Sequence, residues 1–132
     1  MIAIMMETAL TKNSLSELSI NLEALAANYH FLAEQSAPSE CAAVVKANAY
    51  GLGLRAVTRT LEKAGCKTFF VATLDEGLAL RTITKRTIYV FAGVTEENKF
   101  ALAEASLRPD TRTALEQDIG ADVVEIVQLD AL

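Results

Sequence analysis

The predicted fold centres on the sequence AAVVKANAYGLG, which occupies residues 42–53. Its first half, Ala42–Ala47, is apolar except for one lysine and contains two valines, as is typical of a strand buried on both faces of a parallel sheet. Gly51 and Gly53 interrupt this pattern and predict a turn. Apolar residues then recur at helical spacing as far as Gly65, a candidate C-cap. The stretch predicts a strand, a glycine turn and a helix.

The same alternation of strand and helix continues along the chain. A preceding helix is expected over Leu22–Gln35, with Asn21 as its N-cap. Further strands are expected at 68–73 and 87–92, and further helices at 75–81 and from Thr95, which is expected to be an N-cap. This order indicates βα units that share a parallel sheet.

The pattern weakens after residue 107. Arg108 and Pro109 interrupt the next expected strand, because proline and charge are unfavourable in a central strand. The apolar stretch Val123–Leu129 fits either a strand or a helix. We therefore predict an α/β fold with three to four βα units, a leader at 1–14, one domain at 15–106 and a divergent segment at 107–132.

Lys46 is the candidate catalytic residue. It ends an apolar strand, where lysine is rare unless it is paired or used. Partial burial disfavours the charged ammonium, and the neutral amine is the better nucleophile towards an aldehyde. The alternative is that Lys46 ends the strand and extends its amine to solvent, with its stem covering apolar surface.

Four stretches together resemble the alanine racemases. The most specific surrounds the lysine, Ala43–Gly53, and is similar to the pyridoxal-phosphate attachment motif of that family. The other three follow the family's order and spacing: Ser19–Leu25 with Asn28, Phe70–Gly77 with Leu80 and Arg81, and Ile88–Gly93. Leu52 differs from the histidine that many family members carry. The resemblance extends over about residues 15 to 105.

This resemblance implies a fold, a reaction and a cofactor. The fold would be part of a TIM-type (β/α)8 barrel, whose active site lies at the carboxyl ends of the strands. Lys46 would bind pyridoxal 5'-phosphate covalently and act as one of two bases that interconvert L-alanine and D-alanine. Tyr50 would contact the cofactor phosphate, although packing on the sheet is its alternative role. The family's second base, a tyrosine, belongs to a later domain that this sequence does not contain.

Composition limits the other partners. A net charge of −5, with twelve scattered basic residues, lacks the basic stripe that nucleic-acid binding requires. The apolar start is too short to cross a bilayer.

Cys41 and Cys66 lie far apart without ligand spacing, so we expect no metal site, but two buried thiols in a cytoplasmic protein. His30 is expected to serve packing or the surface, and Asp75 and Glu76 to cap a helix.

The resemblance also implies a homodimer that supplies D-alanine for peptidoglycan. A partial barrel leaves a sheet edge unpaired, which predicts self-association unless the stretch 123–129 folds over that edge. Because a full barrel needs about 250 residues, two other functions remain open. One is a non-catalytic module that binds pyridoxal phosphate, and the other is an inactive truncated product.

Overall fold

The computed structural model describes residues 15–109 and 125–127 of the 132-residue chain. The predicted leader at 1–14 lies outside these residues, as does most of the segment 107–132. In chain order the elements are α1 Leu22–Ser36, β1 Cys41–Val44, α2 Lys46–Tyr50, α3 Leu54–Lys63, β2 Thr68–Val71, α4 Leu74–Arg81, β3 Thr87–Val90, α5 Lys99–Glu104, β4 Arg108–Pro109 and β5 Glu125–Val127.

The strands form one parallel sheet in the order β4-β3-β2-β1-β5. Three strands are each followed by a helix, and β4 begins a fourth unit. The predicted α/β fold with parallel strands and three to four units is thereby confirmed. Parallel strands need a crossover connection, and here the helices supply it.

The two faces of the sheet carry different side chains, because successive residues of a strand point to opposite faces. One face belongs to a large core that the helices share, and it includes Phe69, Val71, Ile88 and Val90. The other face carries a smaller buried cluster of four residues, Ala42, Val44, Phe70 and Tyr89. We call these the helix face and the inner face.

Arg81 joins the end of α4 to two neighbouring segments. Its guanidinium donates hydrogen bonds to four backbone carbonyls, those of Thr84, Arg86, Ala105 and Ser106, at 2.8–3.1 Å. Burial lowers the pKa of Arg81, since the charge is partly removed from water. This side chain holds the loop before β3 and the end of α5 together.

Several sequence expectations on element bounds differ from the structure, including the strand expected at 68–73, which ends at Val71. The helix expected from Thr95 begins at Lys99, and a turn precedes it. In that turn the Thr95 and Asn98 side chains accept each other's backbone amides. The strands at 42–47 and 87–92 are shorter than expected, yet backbone pairing continues beyond them. The amides of Val45 and Phe91 bond the carbonyls of Phe70 and Val71 at 2.9 Å.

The stretch 123–129 contributes β5, but not where it was expected. The alternative that it covers the edge of the last barrel strand is not what the structure shows, since β5 pairs with β1 through Cys41–Glu125, Ala42–Ile126 and Ala43–Val127. In a closed barrel the final strand pairs with the first, so β5 occupies that side of β1. The opposite edge is the two-residue strand β4.

Within the described residues, no helix is both long and apolar enough to cross a membrane.

Candidate active site

The turn after β1 has an unusual backbone. Four consecutive residues without glycine, Ala47 to Tyr50, have positive φ values of 51° to 56°. Ala47, Asn48 and Ala49 also have ψ values of 45° to 51°, so α2 is a left-handed turn and not an ordinary helix. Left-handed backbone costs roughly 1–2 kcal/mol per residue for L-amino acids. We call residues 47–50 the left-handed turn.

Several hydrogen bonds hold the left-handed turn. The amides of Ala49, Gly51 and Gly53 donate to the carbonyls of Val45, Ala47 and Asn48 at 2.9–3.0 Å. Asn48 also accepts the Leu54 amide on its Oδ1 at 2.8 Å. Gly53, at the N-cap of α3, has no side chain to offer, so Asn48 supplies the missing acceptor. The turn and the start of α3 therefore form one bonded unit.

Glu76 connects this turn to the next strand. Its Oε1 accepts the Ala47 amide at 2.7 Å, and its Oε2 accepts the Ala72 amide at 2.8 Å and the Thr73 amide at 3.4 Å. The Thr73 hydroxyl accepts the Glu76 amide at 3.3 Å, which completes a capping box at the start of α4. The expected capping role of Glu76 is confirmed, and the Ala47 contact is additional.

Aromatic rings line the inner face near the left-handed turn. Phe70 stacks on Tyr89 with ring centroids 5.0 Å apart and on Phe91 at 5.4 Å. Tyr50 and Phe91 pack against this buried cluster and are themselves half-buried. An apolar wall therefore lies beside the end of β1, while Tyr50 keeps a phenolic hydroxyl that can donate a hydrogen bond.

Lys46 stands between β1 and the left-handed turn, at the carboxyl end of the parallel strands. It is half-buried, and among the described residues no carboxylate lies within ion-pairing distance of its ammonium. The sequence predicted that Lys46 ends the strand, whereas β1 ends at Val44 and Lys46 begins the element that follows. Its role as a base and the cofactor contact of Tyr50 remain predictions.

The remaining candidates have structural surroundings. His30 is exposed on α1, with its ring edge-on to Tyr29. Cys41 and Cys66 are buried and form no disulfide, as expected. Burial raises the pKa of Cys66 from 9.0 to about 12 and also raises that of Tyr29, whose hydroxyl donates to the Cys41 carbonyl at 2.9 Å. The Cys66 thiol is therefore not poised to react at neutral pH.

Sequence reasoning missed the contacts of Glu76 and Arg81, which lie at opposite ends of the parallel strands. The first is Glu76 in its contact with Ala47, which is 29 positions away in the chain. The spacing Thr73-x-x-Glu76 is a capping-box signal and could have located the carboxylate, but not its second partner. The second is Arg81, whose four carbonyl partners have no sequence signature.

Comparison with known proteins identifies the family. The family described as "Alanine racemase, N-terminal domain" matches residues 20–114. An alanine racemase of Methylobacterium sp. (strain 4-46) is 46% identical over 95 residues, covering 71% of this chain and 26% of the relative. A catabolic alanine racemase of Agrobacterium fabrum is 41% identical over 124 residues, covering 86% of this chain and 32% of the relative. The chain thus spans between a quarter and a third of these relatives.

Solved structures agree. The crystal structure of alanine racemase from Bartonella henselae with covalently bound pyridoxal phosphate superimposes with a TM-score of 0.65 at 41% identity, covering 68% of this chain and 26% of that one. Alanine racemase from Corynebacterium glutamicum gives a TM-score of 0.62 at 30% identity, covering 68% and 27%. By its sequence and by its parallel βα units, the chain belongs to the alanine racemase N-terminal domain family.

Proposed function

We propose that this chain carries the cofactor-attachment part of a pyridoxal-phosphate-dependent alanine racemase, which interconverts L-alanine and D-alanine. The observation that supports it most is the position of Lys46, half-buried at the carboxyl end of a parallel strand and followed by the left-handed turn. Enzymes built on (β/α)8 barrels place catalytic residues at this end of the strands.

The residues present fit the aldehyde end of pyridoxal phosphate. A lysine amine condenses with an aldehyde carbonyl and releases one water. Phe70 and Tyr89 are buried, so the half-buried ring of Phe91, which stacks on Phe70, is the apolar surface offered to a planar ring. Tyr50, which packs against the same cluster, offers a hydroxyl to a phosphate oxygen. When bound, the cofactor supplies the electron sink that makes the α-proton of alanine acidic.

In this proposal Lys46 acts as the proton carrier on one face of the substrate. The freed amine accepts the α-proton of one alanine enantiomer, and a second base is needed on the opposite face. Among the described residues we assign only the first of these two bases. We expect the second base from the part of the family sequence that lies outside the match to residues 20–114. Complete racemisation requires both bases.

The experiment is a labelling map. The purified chain is mixed with pyridoxal phosphate and reduced with borohydride, and the modified peptides are identified by mass spectrometry. We expect one label at Lys46 and none in Lys46→Ala. Lys67→Ala, which changes an exposed lysine, should label like the wild type. Scattered labelling, or label that survives Lys46→Ala, would sink the proposal.

A second candidate is a binding module that holds the cofactor without turnover. It is favoured because, among the described residues, we assign only one of the two bases that racemisation needs. Incubation with alanine in deuterium oxide distinguishes the two functions. Exchange of the α-proton with solvent deuterium, which Lys46→Ala abolishes, supports proton transfer by Lys46. Labelling at Lys46 without any exchange supports the module.

The cellular setting is proposed with the same function. D-alanine made by such an enzyme would enter peptidoglycan, and two buried cysteines that form no disulfide suit the reducing cytoplasm. The family resemblance further suggests a homodimer. Sedimentation of the purified protein would test the dimer directly, and a single monomeric species would contradict it.

A further inference from the structure

Glu76 makes more contacts than helix capping requires. From the Glu76 side chain, a capping box needs only its bond to the Thr73 amide. That bond, at 3.4 Å, is the longest of the three that the Glu76 carboxylate accepts. The two shorter bonds, at 2.7 and 2.8 Å, run to Ala47 and Ala72. The carboxylate therefore joins the loops that follow two adjacent strands.

The Ala47 amide is a sensitive place for such a bond. It belongs to the peptide unit that joins Lys46 to Ala47, so its direction fixes the backbone on which the lysine side chain stands. Ala47 is also the first residue of the left-handed turn, whose φ and ψ are unfavourable for L-residues. A charge-assisted bond at this point opposes relaxation of the turn towards an ordinary conformation.

We propose that Glu76 is a positioning residue for Lys46: it holds the Lys46–Ala47 peptide against the end of β2 and so fixes the direction in which the amine meets its aldehyde. This inference rests on the proposed function. Glu76 is not assigned an acid or base role, because both of its oxygens already accept backbone amides. It acts on the reacting amine only through the backbone.

The test compares Glu76→Gln with two controls. Glutamine offers a single carbonyl oxygen, so it cannot keep both the Ala47 bond and the Ala72 bond. Thr73→Ala weakens the same helix start but leaves the Ala47 bond in place, and Asp75→Asn removes an exposed acid from the same first turn. The readouts are the rate of borohydride-trapped labelling at Lys46, the share of label on other lysines, and the melting curve.

We expect Glu76→Gln to slow labelling at Lys46 by on the order of tenfold and to spread label to other lysines, because misplacing a reacting group is costly. Thr73→Ala should melt earlier and yet label at the wild-type rate when measured well below its melting temperature. Asp75→Asn should label at the wild-type rate and melt only slightly earlier, because it removes one acid from the first turn of α4. Equal slowing in Thr73→Ala and Glu76→Gln would reduce Glu76 to a structural cap and overturn the proposal.

Two further outcomes also test the positioning role of Glu76. If the wild type itself does not label at Lys46, the proposed function fails, and the positioning role fails with it. If Glu76→Gln does not melt cooperatively, hydrogen exchange in the wild-type protein decides. The Ala47 amide, although its residue is exposed, must be protected, and exchange at the rate of an unstructured peptide would overturn the proposal.

Discussion

Two consecutive strand-to-helix connections in this molecule are built in opposite ways. The connection after β2 is conventional: Thr73 caps α4, Glu76 completes the box, and the backbone is unstrained. The connection after β1 has no side-chain cap at Val45 and passes through four positive-φ residues before α3 begins. The difference shows that the first connection is held by contacts from outside it, since Glu76 of the second connection binds the Ala47 amide.

We expect the largest loss of stability from replacing Arg81, the last residue of α4. Arg81→Met should lower the free energy of unfolding by about 3 kcal/mol, because four carbonyls lose a charged donor. Arg59→Met, on the exposed surface of α3, should change it by less than about 0.5 kcal/mol. Urea denaturation measures both, and equal losses would break the assignment of Arg81 as a structural support.

The stability of the folded protein should fall at alkaline pH because of Cys66, which lies between the two connections in the chain. Burial raises the pKa of Cys66 from 9.0 to about 12, so the folded state holds this proton more tightly than the unfolded state does. Its contribution to stability is therefore complete below about pH 9 and is lost as the pH rises towards 12, at up to about 1.4 kcal/mol per pH unit. Urea denaturation under reducing conditions at several pH values measures this slope.

Cys66→Ala supplies the control for this pH dependence. The variant should show a shallower loss of stability above pH 9, with the remainder owed in part to Tyr29, whose pKa burial also raises. Identical slopes in the wild type and the variant would show that the thiol is not the titrating group.

The cap of α4 should have a moderate effect. Thr73→Ala removes the hydroxyl that accepts the Glu76 amide and should cost about 1 kcal/mol. Thr73→Ser keeps the acceptor and should stay close to the wild type. Thermal melting ranks the three proteins, and a serine variant as unstable as the alanine variant would mean that the hydroxyl is not what matters.

The smallest effect tests the strained turn by its sign. Ala47→Gly relieves a positive φ of 51° and should stabilise the protein by about 0.5–1 kcal/mol. Ala27→Gly, on the exposed side of the regular helix α1, should instead destabilise it by about 0.5–1 kcal/mol. Urea denaturation should therefore separate the two variants in opposite directions, and losses of equal size would contradict the strain at Ala47.

The sequence predicted what depends on regular patterns. Alternating apolar runs located the strands, Asn21 was correctly identified as the N-cap of α1, and the lysine was placed at the carboxyl end of the sheet. The left-handed turn was missed because Ala47 and Ala49 carry no preference for positive φ, and only Asn48 tolerates it well. Thr95 misled because a local turn uses the same residue types as a helix cap.

The pairing of β5 with β1 has a consequence for the order of folding. Ala43 meets Phe69 across β1 and β2, whereas Cys41 meets Glu125 across β1 and β5. The second loop is about three times longer, which adds only about 1 kcal/mol of closure entropy. Contacts between distant parts of a chain nevertheless form late as a rule. The first strand should therefore acquire its neighbour β2 early and its neighbour β5 last, so that the pairing of Cys41–Ala43 with β5 is the final part of the sheet to form.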